Sequence, residues 1–187
     1  MDDPLEFRSG KEWGSWLHKN HKKSDGIWIR MFKKGSGVLT VNNSDALDVA
    51  LCYGWITGQA RPYDEVSWLA RYVPRRTRSI WSQLNVQRAE KLIAEGKMKS
   101  AGMEQVEAAK RDGRWQRAYT PSSRAKLPAD FIRELRKNEK AEAFAKTLDR
   151  ANLYAVVFRL ENAKTEEKRS RKIKQLVEML SRGEKFH

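Results

Sequence analysis

Between Val66 and Ala89 the chain runs twenty-four residues without an Asp or Glu while carrying Arg71, Arg75, Arg76, Arg78 and Arg88. Arginine is a planar, permanently charged fork that matches phosphate or carboxylate. Five of them with no acid neighbouring in sequence point to an anion supplied from outside. Ser79, Ser82 and Asn85 add hydroxyl and amide groups to the same stretch, and Trp81 adds a face for stacking. Lys33, before the turn Gly35-Ser36-Gly37, and Trp55 and Thr57, in a strand-like segment, complete the candidate ligand-binding set. The chemistry this set offers is anion binding; an enzyme acting on an anionic small molecule, with Tyr, Ser or Lys as the proton-transfer group, stays an alternative that the scarcity of acid and His residues in the basic block weighs against.

Catalytic and metal templates are not met. His18 and His21 share a helical face but have no third ligand at a suitable spacing. Cys52 has no histidine near it in sequence, and its apolar helix places it in a core. Phosphate loops, dinucleotide fingerprints, nucleophile elbows and zinc-protease motifs are absent from the sequence. No catalytic residue, metal ligand or cofactor is therefore expected.

These residues need elements to hold them. Ser9 and Glu12 form a capping-box pattern ahead of Trp13, Trp16 and Leu17, a short helix ending near Asn20. A β-rich run from Gly26 to Lys33 follows, then a helix capped by Ser44 and ending at Gly54. Trp55 to Tyr63 and Val66 to Val73 read as strands joined at Asp64-Glu65, with Pro74 as the stop. Everything beyond Pro74 reads helical, beginning with a helix capped at Ser79 that carries Trp81, Leu84, Ala89, Leu92 and Ile93. The fold class expected is α+β: a small antiparallel sheet with helices in the N-terminal half and a helical C-terminal half. Tyr119 to Pro128 reads as a linker, dividing a core domain (1–118) from a helical C-terminal region (129–187).

Composition sets the outer bounds. The 187 residues include 38 basic and 24 acidic side chains, a formal net charge of +14. Residues 1–66 balance at 9 of each sign, whereas 67–127 carry 14 basic against 5 acidic. A localised excess of this kind suits an anionic small molecule, an acidic partner or nucleic acid. No apolar run approaches the roughly 20 residues of a membrane span, so membrane insertion is not expected. One cysteine allows no intrachain disulfide, and with no leader-like start the expected compartment is the cytoplasm. Nothing in the sequence fixes an oligomeric state.

The order of short motifs carries a resemblance. Trp13-x-x-Trp16-Leu17 and Lys33-Lys34 are followed by Ala50-Leu51-Cys52-Tyr53-Gly54-Trp55-Ile56-Thr57-Gly58. Then come Arg71-x-x-Pro74-Arg75-Arg76-x-x-Ser79-x-Trp81-Ser82-x-x-Asn85 and Gly96-x-Met98-x-x-Ala101-Gly102. Ala109-Lys110-x-Asp112-Gly113-Arg114-Trp115 and Ala163-Lys164-x-x-x-x-Arg169-x-Arg171-x-Ile173 close the series. Across nearly the whole chain this closely resembles the YdeI / OmpD-associated, or bacteriocin-protection, family. The resemblance implies a small bacterial cytoplasmic α+β protein linked to stress and to tolerance of cationic peptides. Two positions depart from the family pattern: Thr57 stands where Asp is usual, and Lys168 where Thr is usual. Both changes make the chain more positive, which favours a more anionic ligand. A chain of net +14 repels cationic peptides, so any protection it gives runs through an indirect route.

Overall fold

The computed structural model describes residues 3–186. These form eight helices and a three-stranded sheet, in the order α1 (Gly10–Asn20), β1 (Ile27–Phe32), α2 (Asn43–Cys52), β2 (Trp55–Pro62), β3 (Ser67–Pro74), α3 (Gln83–Ala94), α4 (Ser100–Arg111), α5 (Ala129–Leu135), α6 (Glu139–Ala145), α7 (Arg150–Glu161) and α8 (Glu166–Ser181). The expected α+β class is met: strands lie in the N-terminal half and the C-terminal half is helical. The chain divides into two compact units, one of Met1–Trp81 with Asn85–Arg117, the other of Ser82–Leu84 with Ala118–His187.

In the first unit β3 is the central strand, antiparallel to β1 on one side and β2 on the other. Register fixes two faces, because side chains alternate along a strand. Ile27, Ile29 and Met31 lie opposite Tyr72, Ala70 and Trp68 on the face that meets the core. Trp13 and Leu17 of α1 and Ala46 and Ala50 of α2 pack in the same core as these strand residues. Trp13 is its hub, with ring centroids 5.4 Å from Trp16, 5.5 Å from Tyr72 and 6.2 Å from Trp55. Indole N–H groups need partners when buried. Trp13 donates to the Ala46 carbonyl and Trp55 to the His21 carbonyl.

The opposite sheet face carries Trp28, Arg30 and Phe32 from β1, Leu69, Arg71 and Val73 from β3, and Gln59 and Arg61 from β2. A bulge between Thr57 and Gln59 shifts the β2 register at Gly58.

Helix ends differ from expectation at three places. Ser9 Oγ accepts from the Glu12 amide as a cap should, but the Glu12 carboxylate reaches back to the Arg8 amide and not to that of Ser9. Asn42 rather than Ser44 caps α2, its side chain accepting from the Asp45 amide. The third place is the start of α3, which bears on the site.

α2 and α4 meet closely. The Lys99 amide donates to the Cys52 carbonyl, and a Cβ at Gly102 would fall 2.5 Å from that oxygen and 2.6 Å from the Leu51 carbonyl. Gly54, in the left-handed region at φ +74°, faces the Ala101 carbonyl just as tightly. The Gly54 and Ala101-Gly102 motifs are therefore two sides of one backbone crossing.

The second unit is a helical cluster in which α8 packs against α5, α6 and α7. Phe131, Leu135, Val156, Leu160, Ile173, Leu176 and Leu180 form its core. Asn138, Asp149 and Thr165 cap α6, α7 and α8. Arg169 bonds both carboxylate oxygens of Asp130 at 2.6 and 2.9 Å and the Leu160 carbonyl at 2.8 Å. One guanidinium so ties α8 to α5 and to the end of α7, while Arg171 is exposed and pairs with Glu167 one turn back. No helix among the described residues is long and apolar enough to cross a membrane.

Candidate functional site

The strand–proline–helix segment resolves into a strand, a tight turn and a late helix. β3 ends at Pro74, and the Arg75 amide donates to the Gly54 carbonyl. Ser79 does not cap α3, and Trp81 is not on it. Ser79 Oγ accepts from the Arg76 amide at 2.9 Å, closing a turn over 76–79. α3 starts at Gln83, whose amide is taken by the Tyr119 carbonyl. A serine hydroxyl accepts an amide three residues away in a cap or in a turn, and here the turn wins because Trp81 is drawn into the core.

The arginines separate into two kinds. Arg75 turns inward: it is 6% exposed, its guanidinium lies 3.8 Å over the Trp81 ring, and Nη2 donates to the Ile80 carbonyl at 2.7 Å. Trp115 meets Trp81 edge-on at 4.8 Å. Arg114 clasps the same turn, donating to the Ser79 carbonyl while its other nitrogens hold Asp112. Partial burial works to raise the Asp112 pKa, but the hydrogen bonds and charge of Arg114 outweigh it and hold the carboxyl below its ordinary range. Arg76 and Arg78 are exposed, and no hydrogen bond or ion pair engages their guanidinium groups among the described residues. Arg71 is exposed on the outer sheet face, its guanidinium 5.8 Å from the Trp28 ring. Arg88 pairs with Asp48 at 2.6 Å and bonds Ser44.

The remaining candidates scatter. Lys33 lies beside the start of β3, where its amide donates to the Val66 carbonyl and its ammonium to that of Glu65. Arg75 follows the other end, roughly 25 Å along an extended strand. Lys33 does line an open depression of about 630 Å³ with Lys34, Ser36, Val41, Asn42 and Trp68. Trp55 is buried in the aromatic core. Thr57 lies opposite Tyr72, on the sheet face away from Arg71. Ser82 is buried and bridges to Tyr119, within the second unit. Asn85 is half-buried in the first turn of α3 and already engaged. What the fold does gather is Arg75, Arg76, Ser79 and Trp81, joined by Arg114, Asp112 and Trp115.

Burial pushes the Tyr72 phenol up to about 12 and raises the Cys52 thiol. Tyr72 Oη and Trp81 Nε1 are buried without a hydrogen-bond partner among the described residues. No three His, Cys, Asp or Glu among them lie together as a metal site would require.

Trp28 and Arg61 were not among the candidates. Arg61 stacks over Trp28 at 4.5 Å, and Arg30 over Phe32 at 4.5 Å and Tyr63 at 5.0 Å. The alternation Trp28, Arg30, Phe32 is a period-two signal, but its pairing with Arg61 and Arg71 depends on register.

Two family matches divide the chain. Residues 124–183 match the family described as Bacteriocin-protection, YdeI or OmpD-Associated, which bears out the resemblance over that length. Residues 5–105, with the Gly54–Gly58 and Arg71–Asn85 elements, match one described as Domain of unknown function (DUF8412). No curated protein and no solved structure matches. With more than half of its residues inside the N-terminal match, the chain belongs to the DUF8412 family, and it carries a bacteriocin-protection, YdeI or OmpD-associated segment within its second unit.

Proposed function

We propose that this is a bacteriocin- or stress-protection protein of the cytoplasm that acts by binding, and that it takes an anionic small molecule or an acidic group of a partner at the turn 75–79. The observation that carries this reading is the pair Arg76 and Arg78: two exposed guanidinium groups with no acid engaged among the described residues, on a turn tied from behind. Arg75 on Trp81 and Arg114 on the Ser79 carbonyl do the holding. A fixed turn loses little freedom when it binds, which favours affinity. Trp81 Nε1 is a buried donor beside the turn with no partner among the described residues. Net charge +14 opposes direct capture of cationic peptides, so protection would proceed through the anion bound.

Calorimetric titration with inorganic phosphate, pyrophosphate and nucleoside mono- and triphosphates tests this. Binding should weaken at least tenfold in the double variant Arg76→Ala, Arg78→Ala, with the unfolding midpoint unchanged. Equal affinity in the double variant, or no heat with any of these anions, removes the turn as the site.

A further inference from the structure

The outer face of the sheet has a character the turn does not share. Rows of side chains cross it from β1 through β3 to β2: Arg30, Leu69 and Arg61 in one, Trp28, Arg71 and Gln59 in the next. Leu69, opposite Arg30 on one side and Arg61 on the other, is only 2% exposed. Arg30 is neutralised by Glu6 and Asp64 at one end. Towards the other end Arg61, itself already engaged, lies over the Trp28 ring at 4.5 Å, and the exposed Arg71 brings its guanidinium group to 5.8 Å from the same ring. Gln59 and Arg71 are exposed beside the half-buried indole.

We propose that this face binds single-stranded nucleic acid. Each part answers to a different part of a nucleotide. Trp28, with the Arg61 guanidinium over its ring, offers an aromatic and cationic surface to a base, and stacking accepts any base. Arg71 meets the backbone phosphate, and the Gln59 amide can both donate to and accept from a base edge. The strand must be single, because a base stacked and paired inside a duplex cannot lay its face on a side chain of the sheet. Charge complementarity and the aromatic platform together set the occupant: an acidic protein surface would answer the arginines but leave the Trp28 platform without a use. The face uses none of the residues assigned to the turn at Arg76 and Arg78, so either site can fail alone.

The test is fluorescence anisotropy of the full chain with end-labelled ten-nucleotide oligo(dT) and oligo(rU), and a duplex of equal length, from 20 to 200 mM salt. Both single strands should bind more tightly than the duplex. The salt slope should be near −0.7 per phosphate neutralised. Trp28→Ala should weaken binding tenfold or more and Trp28→Phe only slightly, since a smaller ring still stacks. Arg71→Ala should weaken it and flatten the slope, whereas Arg171→Ala, at an exposed position of α8, should change neither. A ratio of dT to rU affinity above ten assigns the face to DNA, below one-tenth to RNA, and between these to both. Should Trp28→Ala fail to fold by circular dichroism, Trp28→Leu keeps the apolar cover and replaces it in the comparison. The proposal is overturned by no binding at 20 mM salt, by duplex binding as tight as single strand, by wild-type affinity in the folded Trp28 variant, or by equal losses in Arg71→Ala and Arg171→Ala.

Discussion

Arg75 and Arg76 are adjacent in the sequence and opposite in consequence. Arg75 spends its charge inside the fold, on the Ile80 carbonyl and the Trp81 face, where it is shielded from water. Removing it strands a carbonyl and empties one side of an indole. Arg75→Ala should therefore cost about 3 kcal/mol of the first unit's stability, from a charged hydrogen bond and a desolvated cation–π contact. Arg75→Lys should recover only part of this, because an ammonium cannot both lie flat on the ring and reach the carbonyl. Arg76→Ala should stay within about 0.5 kcal/mol of the parent, as exposed substitutions do. Urea unfolding followed by tryptophan emission measures all three, and equal midpoints for the two alanine variants would refute the division of roles. Charge in this stretch was legible in the sequence. Which guanidinium is structural was not, because that depends on where Trp81 and Trp115 meet.

At the scale of elements the motifs divide between packing and binding. Gly54 and the Ala101-Gly102 pair are explained by the α2–α4 approach, with no ligand needed. Gly102→Ala should destabilise by about 3 kcal/mol or more, since the Leu51 and Cys52 carbonyl oxygens against the new methyl cannot move aside. Gly14, inside α1, has only a Val49 methyl at 3.5 Å, so Gly14→Ala should stabilise by about 0.5–1 kcal/mol through helix propensity. Thermal unfolding of the two variants should shift in opposite directions, and shifts of the same sign would contradict the close approach. Strand limits were legible because Pro74 and period-two alternation are local signals. The start of α3 was not, since Ser79 carries the same short-range signal whether it caps a helix or closes a turn. Nor could spacing show that Lys33 and Arg75 occupy opposite ends of one strand, or that Thr57 and Arg71 occupy opposite faces. Those are facts of register, which is a tertiary property.

For the whole molecule the decisive quantity is the scarcity of acid. Against 38 basic side chains stand 24 carboxylates, and several are drawn into pairs that hold their pKa down. A hydrogen bond from Ser67 with the Arg30 guanidinium lowers Asp64, and the Arg169 fork lowers Asp130. A carboxyl with a lowered folded pKa stabilises the fold fully above its unfolded value, near 4, and that contribution fades as pH falls through the folded value. The same protonation removes the charges that offset the basic excess, so repulsion grows in the window where the pairs are lost. Stability should thus be level from about pH 7 to 5 and drop steeply below about 4, less so in 0.5 M salt, which screens repulsion. The two causes separate through Asp130. Arg169→Ala should cost the second unit about 2 kcal/mol at pH 7 by breaking a bidentate, partly buried pair. Asp130→Asn should be destabilised at pH 7 and converge with the parent near pH 2, where the parent has itself lost the ionised group. Urea titrations followed by circular dichroism from pH 7 to 2 read this convergence. If the gap between Asp130→Asn and the parent stayed constant as the pH fell, the Asp130 charge would not be what joins α5 to α8.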